Sequence, residues 1–480
     1  MSEVQEAGNL PPVRRLGQPT MLAYGFGAVA YGVKDFGFQT FLLFFFNQVM
    51  GLPASQVGLA ILCALLLDAF IDPLIGTLSD RTRSRWGRRH PWMYAAALPI
   101  AAAWLLLWNP PELSSGAMLI WVFVCSVLVR SAVSAYEVPS QALSPELSAD
   151  YDERTRIMAY RYLFGWAGGM AMLVASYGYF LAPHPGQETG LLNRESYIGF
   201  SICGALAMMT AILVSALGTH HEIERLPKPE IAKQTVGEHF RELAETVRNR
   251  AFLIVMGAGV CFYSAQGVSF SLSNYLYTHV WGMKGVDFML LAGSLFVGVI
   301  GAFLLAPRLA KRVGKPTAAM ATMMGAAMLI ATPYLLRLVD LFPHPGSPVM
   351  LPLLFLIFAV NATCSVSSTI LGASMMADVV EHSEVQTGRR SEGVFFAGGF
   401  FVQKCTTGIG IFLSGSILSW IGFPEGAKPG TVAPMTIDRL TVIFALLYLA
   451  LGFSAAFLYR RFPFGRAEHN ARIEQLSGPA

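Results

Sequence analysis

Asp68 and Asp72 lie four residues apart in an otherwise apolar run, so on a helix their carboxylates stack one turn apart on one face. A carboxylate at membrane depth costs about 2.5–3.5 kcal/mol on insertion scales, and two on one face also repel. A bound monovalent cation or a proton is the simplest compensation; purely structural pairing with basic residues on other helices is the alternative. Other ionisable residues also sit deep in apolar segments: Lys34 with Asp35, Arg130 with Glu137, then Arg161 and Lys404. Adjacent residues on a helix diverge, so Lys34 and Asp35 are expected to satisfy each other poorly. Asp35 then serves a cation elsewhere, and Lys34 neutralises an acid on the second span. Arg130, two turns before Glu137, is expected to be its charge partner. Glu137 stands beside Tyr136, and Pro139 loosens the helix just after it. A carboxylate there suits the hydroxyls of a small polar substrate, or a place in the cation cage. The planar fork of Arg161 suits hydroxyls or a carboxylate. Lys404, a lone deep base in the second half, is expected to reach the acids of the first.

The elements that must hold these residues are membrane helices. Of 480 residues 54% are hydrophobic and 13% charged, and mean hydropathy is +0.51, which excludes a soluble globule. A span needs about 20 apolar residues. Hydropathy predicts twelve spans, at 20–49, 54–79, 92–108, 115–146, 157–182, 197–218, 251–279, 286–310, 317–338, 349–380, 393–422 and 438–459. An even number puts both termini on one side. Loops on that side carry Arg81, Arg83, Arg85, Arg88, Arg89, Arg154, Arg156, Lys311, Arg312, Lys315, Arg389 and Arg390, and the opposite loops carry few bases. The positive-inside rule therefore predicts cytoplasmic termini. The six cysteines lie in apolar segments without CxxC spacing, so neither a disulfide framework nor a metal site is expected.

A charged linker at 219–250 divides the chain, with an amphipathic helical pattern over its second part, 236–250. The expected organisation is a six-helix bundle at 1–218, the linker, a second bundle at 251–460 and a cytoplasmic tail at 461–480. The halves look like weak repeats: Gly76, Asp80, Arg81 and the Gly87–Arg88–Arg89 run follow span two, and Pro307 to Arg312 then Gly314–Lys315 follow span eight. Parallel half-repeats suit a transporter with its cargo held between them. Spans three, six, nine and twelve have almost no ionisable residues in their interiors. Every third helix then reads as a lipid-facing support, as a carrier that rocks between two bundles requires.

The stretches YGFGAVAYG, LDAFIDPLIG, SDRTRSRWGRRHPW, YEVPSQALSPELS, DERTRIMAYRYLFG, MMADVVEHSE and FVQKCTTG, in that order, resemble the glycoside–pentoside–hexuronide:cation symporter family of the major facilitator superfamily. The resemblance implies an all-α membrane protein of about twelve helices in two pseudo-symmetric six-helix bundles. It implies that Asp68 and Asp72 bind the coupling cation and that Glu137, Arg161 and Lys404 belong to the substrate site. Two departures fall on the sugar side. The span-one acid of melibiose-transporting members aligns to Gly32, so Asp35 substitutes only with a shift, and their span-four tryptophan is Gln141 here.

The sequence therefore reads as a secondary active transporter, not an enzyme, that couples sugar or glycoside movement to a monovalent cation, sodium or a proton, by alternating access. It is expected to act as a monomer in the cell's inner membrane, with no other cofactor and no nucleic-acid partner. Substrate contacts are expected from Glu137, Arg161, Gln141, Lys404, Asp35 and Tyr136. Lys34 and Arg130 complete a charge network, and a cytoplasmic gate is expected from Asp80, Arg81, Arg85, Arg88 and Arg89. The rival cargo is a lysophospholipid or another amphiphile on the same fold. A non-transporting sensor fits the deep carboxylates poorly.

Overall fold

A computed structural model describes residues 16–148, 150–183, 190–226, 249–387 and 392–463. The amphipathic pattern at 236–248, Arg389, Arg390 and the tail from 464 onward lie outside the described residues. Twelve helical stretches cross the molecule among those described. The first, α1, is built in pieces: Gln18–Phe26, Val29–Phe36, and wider π-helical turns at Gly37–Leu42 and Phe45–Val49. The next five are α2 (Ala54–Arg81), α3 (His90–Trp108), α4 (Ser115–Leu147), α5 (Tyr151–Ala175, continued by a π-helical turn at Ser176–Phe180) and α6 (Ser196–His220). In the second half, α7 (Arg250–Tyr275, then a π-helical turn at Leu276–Val280), α8 (Val286–Val313), α9 (Lys315–Leu338), α10 (Met350–Thr387), α11 (Glu392–Trp420) and α12 (Pro434–Arg460) follow.

Ten of the described helices are long and apolar enough to cross a membrane. The other two, α1 and α5, are the ones interrupted by glycine-rich turns or loaded with Glu153, Arg154, Arg156 and Arg161. The exposed large apolar side chains of the helices are mostly Leu, Ile, Val and Phe. Such a surface is what lipid requires.

Packing repeats between the halves. Within the first, α1 packs on α5 and α6, α2 on α4, and α3 on α4 and α6. The same pairs recur six helices later: α7 with α11 and α12, α8 with α10, α9 with α10 and α12. The main neighbours of α3, α6, α9 and α12 belong to their own half, as expected of outer supports. Small residues set the closest approaches. A methyl at Gly32 would lie 2.0 Å from the Gly165 carbonyl oxygen, joining α1 to α5, and one at Gly267 would lie 2.5 Å from that of Thr407, joining α7 to α11.

The halves meet along α2 with α11, α5 with α8, and α1 with α7. At the end opposite the chain termini this seam is polar and buried. Asn274 donates to the Thr40 carbonyl (2.8 Å) and accepts from the Tyr177 hydroxyl (2.7 Å). The Tyr275 hydroxyl donates to Asn47 Oδ1 (2.8 Å). Gln48 donates to the Pro424 carbonyl (3.1 Å) and accepts from the Ala427 amide (2.9 Å). From there α2 and α11 run side by side, through Ala54 against Gly415, to Phe70 against Phe401 at 5.6 Å between ring centroids.

Candidate cation and substrate site

Halfway along the α2–α11 seam, Asp68 and Asp72 face Lys404 across the boundary between the halves. The Lys404 ammonium lies 2.8 Å from Asp68 Oδ2 and also pairs with Asp72 Oδ2. Arg130 on α4 donates to the same Asp68 oxygen from Nε (2.9 Å) and Nη2 (2.8 Å), and the Ser134 hydroxyl donates to Asp68 Oδ1 at 3.1 Å. Asp68 is 2% exposed. Its full set of donors is what a buried carboxylate requires. Asp72 is the more open of the two, yet its Oδ1 is buried without a hydrogen-bond partner. That orphaned oxygen, with Asp68 Oδ1 and Ser134 Oγ, offers the hard oxygen donors that a small hard cation takes. Pro73, inside α2, leaves the carbonyl one turn back without its helical amide.

A second cluster joins α4, α5 and α1. Arg161 Nη2 lies 3.1 Å from Glu137 Oε1, and Nη1 donates to Ser140 Oγ (2.9 Å) and toward the Tyr24 hydroxyl (3.5 Å). Gln141 Nε2 donates to the same Glu137 oxygen at 3.0 Å, and the Tyr24 hydroxyl donates to the Ser140 carbonyl at 2.7 Å. Position 141 therefore carries a polar amide tied to the acid one turn before it, where a tryptophan would present a ring.

Several expected partnerships are exchanged. Arg130 belongs to Asp68 and not to Glu137, because two helical turns separate Arg130 from Glu137 while α2 packs directly against α4. Lys34 pairs with its neighbour Asp35 at 2.5 Å and lies over the Tyr31 ring at 4.5 Å. Divergence of adjacent Cβ atoms does not prevent this, since the four-carbon lysine stem curls back. Lys34 therefore makes its direct ion pair with Asp35, while the direct contacts to the span-two acids come from Lys404 and Arg130. The Tyr136 hydroxyl is buried without a hydrogen-bond partner among the described residues, against Gly27, where a methyl would fall 1.7 Å from it. Gly32 is filled by the backbone of α5, so no acid fits there. Ser134, Ser140 and Tyr24 were not singled out from the sequence, because serines and tyrosines in apolar helices carry no signal of their own.

At the end carrying the termini, Asp80, Arg88 and Arg89 form a clamp with Glu146, which the sequence reading overlooked. Arg89 reaches Asp80 (2.5 Å), Ser79 Oγ (2.8 Å) and Glu146 (3.1 Å), and Arg88 reaches Glu146 at 2.7 Å. These bonds tie α2, the start of α3 and α4 together, all within the first half. Arg81 and Arg85 stand outside the clamp, exposed. In the second half Lys315 pairs with Asp378 at 2.6 Å in the corresponding place.

Residues 23–466 match the family described as MFS/sugar transport protein. The chain is 25% identical to the inner membrane symporter YicJ of Escherichia coli, over 95% of this chain and 94% of that protein. It is also 25% identical to the isoprimeverose transporter of Lactiplantibacillus pentosus, over 90% and 88%. Among solved structures, the inward-open xylose transporter XylE of E. coli superposes with a TM-score of 0.64 at 13% identity, covering 95% of this chain and 98% of that one.

Proposed function

We propose that this chain, which belongs to the glycoside–pentoside–hexuronide:cation symporter family of the major facilitator superfamily, couples its cation through Asp68 and Asp72 and receives its sugar beside Glu137 and Arg161. It is a secondary transporter rather than an enzyme, and its activity is cation-coupled symport of a sugar or glycoside by alternating access. The observation that carries the site reading is the Lys404 ammonium, which bridges both span-two carboxylates from the opposite half. A monovalent cation, sodium or a proton, contests the oxygens that Lys404 holds. Its arrival releases Lys404, and the α2–α11 seam loses the ion pair that ties one half to the other at mid-depth. Arg161 and Lys404 then turn to the sugar, while Glu137 and Gln141 accept and donate to its hydroxyls.

The two moving bodies in this reading are 1–218 and 251–460, joined by 219–250, with 461–480 as a tail. The basic loops on the side of the termini support a cytoplasmic location for both; in that orientation the clasp of Asn47, Gln48, Asn274 and Tyr275 closes the extracellular side. Each halved cycle must break and remake it. An amphiphile cargo is not favoured: Gln141 leaves a polar rather than greasy wall, and relatives named for their cargo include an isoprimeverose transporter and a glucuronide carrier homolog. Uptake into proteoliposomes tests the reading. Under an imposed cation gradient, the wild type accumulates sugar above equilibrium and Asp72→Asn does not. Accumulation by Asp72→Asn equal to wild type would remove the span-two pair from the coupling.

A further inference from the structure

Five arginines crowd the turn between α2 and α3, and the clamp uses only Arg88 and Arg89. Arg81, Arg83 and Arg85 are exposed and make no ion pair among the described residues. They are nevertheless held in place. Trp92 Nε1 donates to Thr82 Oγ1 (2.8 Å), the Trp86 amide donates to Ser84 Oγ (2.9 Å), and Gly87 closes the turn at φ +71°, a region that favours glycine. The Arg85 guanidinium lies over the Trp86 ring at 5.1 Å. Trp86 is itself 39% exposed, with its inner edge against Tyr94 and His220.

The position of this platform decides what it meets. Phe70, Leu74 and Leu78 recur every four residues along α2 and are 66%, 58% and 45% exposed, the signature of a lipid-facing stripe. Arg81 follows Leu78 on the next turn of the same stripe. A guanidinium one turn beyond that stripe, followed in the next turn by the exposed Arg85–Trp86 pair, stands at headgroup depth. The corresponding turn after α8 is arranged differently: Arg308 folds back onto the Leu304 carbonyl and Lys315 is taken by Asp378.

We infer that Arg81, Arg83, Arg85 and Trp86 form a docking site for the headgroup of an anionic phospholipid, separate from the Arg88–Arg89 clamp. The inference extends the transporter reading to the surrounding bilayer and does not depend on which cation or sugar is carried. Each juxtamembrane arginine contributes roughly a fivefold preference for anionic lipid, so removal of three lowers it about a hundredfold at low salt. The test uses the full chain in nanodiscs of phosphatidylcholine with increasing phosphatidylglycerol, for wild type and for the variant Arg81→Gln/Arg83→Gln/Arg85→Gln. Retained lipid is read by mass spectrometry after exchange into detergent, and thermal stability is read in each nanodisc. Wild type is expected to retain phosphatidylglycerol in a salt-sensitive manner and to gain stability with its fraction. The triple variant is expected to match wild type in pure phosphatidylcholine and to lose both responses. Equal phosphatidylglycerol retention by the two proteins would overturn the site. So would an equal wild-type response to phosphatidylcholine, or to soluble glycerol phosphate added in place of the lipid.

Discussion

At the residue scale the chemistry rests on which base holds which acid. Arg130 is committed to Asp68 from the same half, whereas Lys404 reaches both carboxylates from the other half. Their substitution should therefore differ in kind. Arg130→Met leaves a buried carboxylate short of its main donors and should cost about 3–5 kcal/mol of stability, read as a lower melting temperature in detergent. Lys404→Gln removes a competitor for the same oxygens. Charge-assisted bonds contribute about 1.5–3 kcal/mol, so cation affinity should rise about tenfold or more while coupling to sugar weakens; calorimetric titration checks the first part. Weaker cation binding by Lys404→Gln would mean that the lysine supports the site instead of contesting it. The deep ionisable residues were legible from the sequence because each is costly in an apolar helix and so must be used. Their partners were not. Pairing Arg130 with Asp68 requires the α2–α4 contact, and pairing Lys34 with Asp35 depends on how a flexible side chain bends.

At the scale of elements, twelve hydropathy windows and the threefold rhythm of charge-poor helices foretold the arrangement, because lipid selects on length and apolarity. Hydropathy does not carry the interruptions of α1. Its π-helical turns Gly37–Leu42 and Phe45–Val49 bring Thr40, Asn47 and Gln48 to the seam with the second half. Gln48→Leu leaves the Ala427 amide and the Pro424 carbonyl without their partner, at about 1–3 kcal/mol for buried groups. This favours the form open at that end, and a cysteine introduced nearby should label faster with a membrane-impermeant reagent applied to that side. Unchanged labelling would show that the clasp does not limit opening. The α1–α5 contact is tighter still. A methyl at Gly32 meets backbone, so Gly32→Ala should cost about 1–3 kcal/mol by overpacking, and Gly32→Asp should not restore a sugar-binding acid.

For the whole molecule, the pairs of Lys404 with Asp68 and Asp72 span the boundary that alternating access opens and closes. Symport follows when closure over a site holding both cation and sugar is easier than closure over a site holding one, and that difference is the coupling free energy. Protons and metal cations compete for the same carboxylates, so affinity for sodium should fall as pH falls, with the steepest loss where the pair protonates. The all-helical transporter fold could be read from the chain alone, whereas the choice of ion depends on oxygen geometry that no spacing encodes. Calorimetric titration of the sugar-free protein with sodium, in weak buffer with a pH indicator present, measures that choice for wild type and Asp72→Asn together. Saturable sodium heat or stoichiometric proton exchange in wild type, absent from a folded Asp72→Asn, is the expected result. The same signal in both proteins, or in wild type neither a sodium response nor proton uptake on a pH jump without sodium, would contradict a cation site at Asp68 and Asp72.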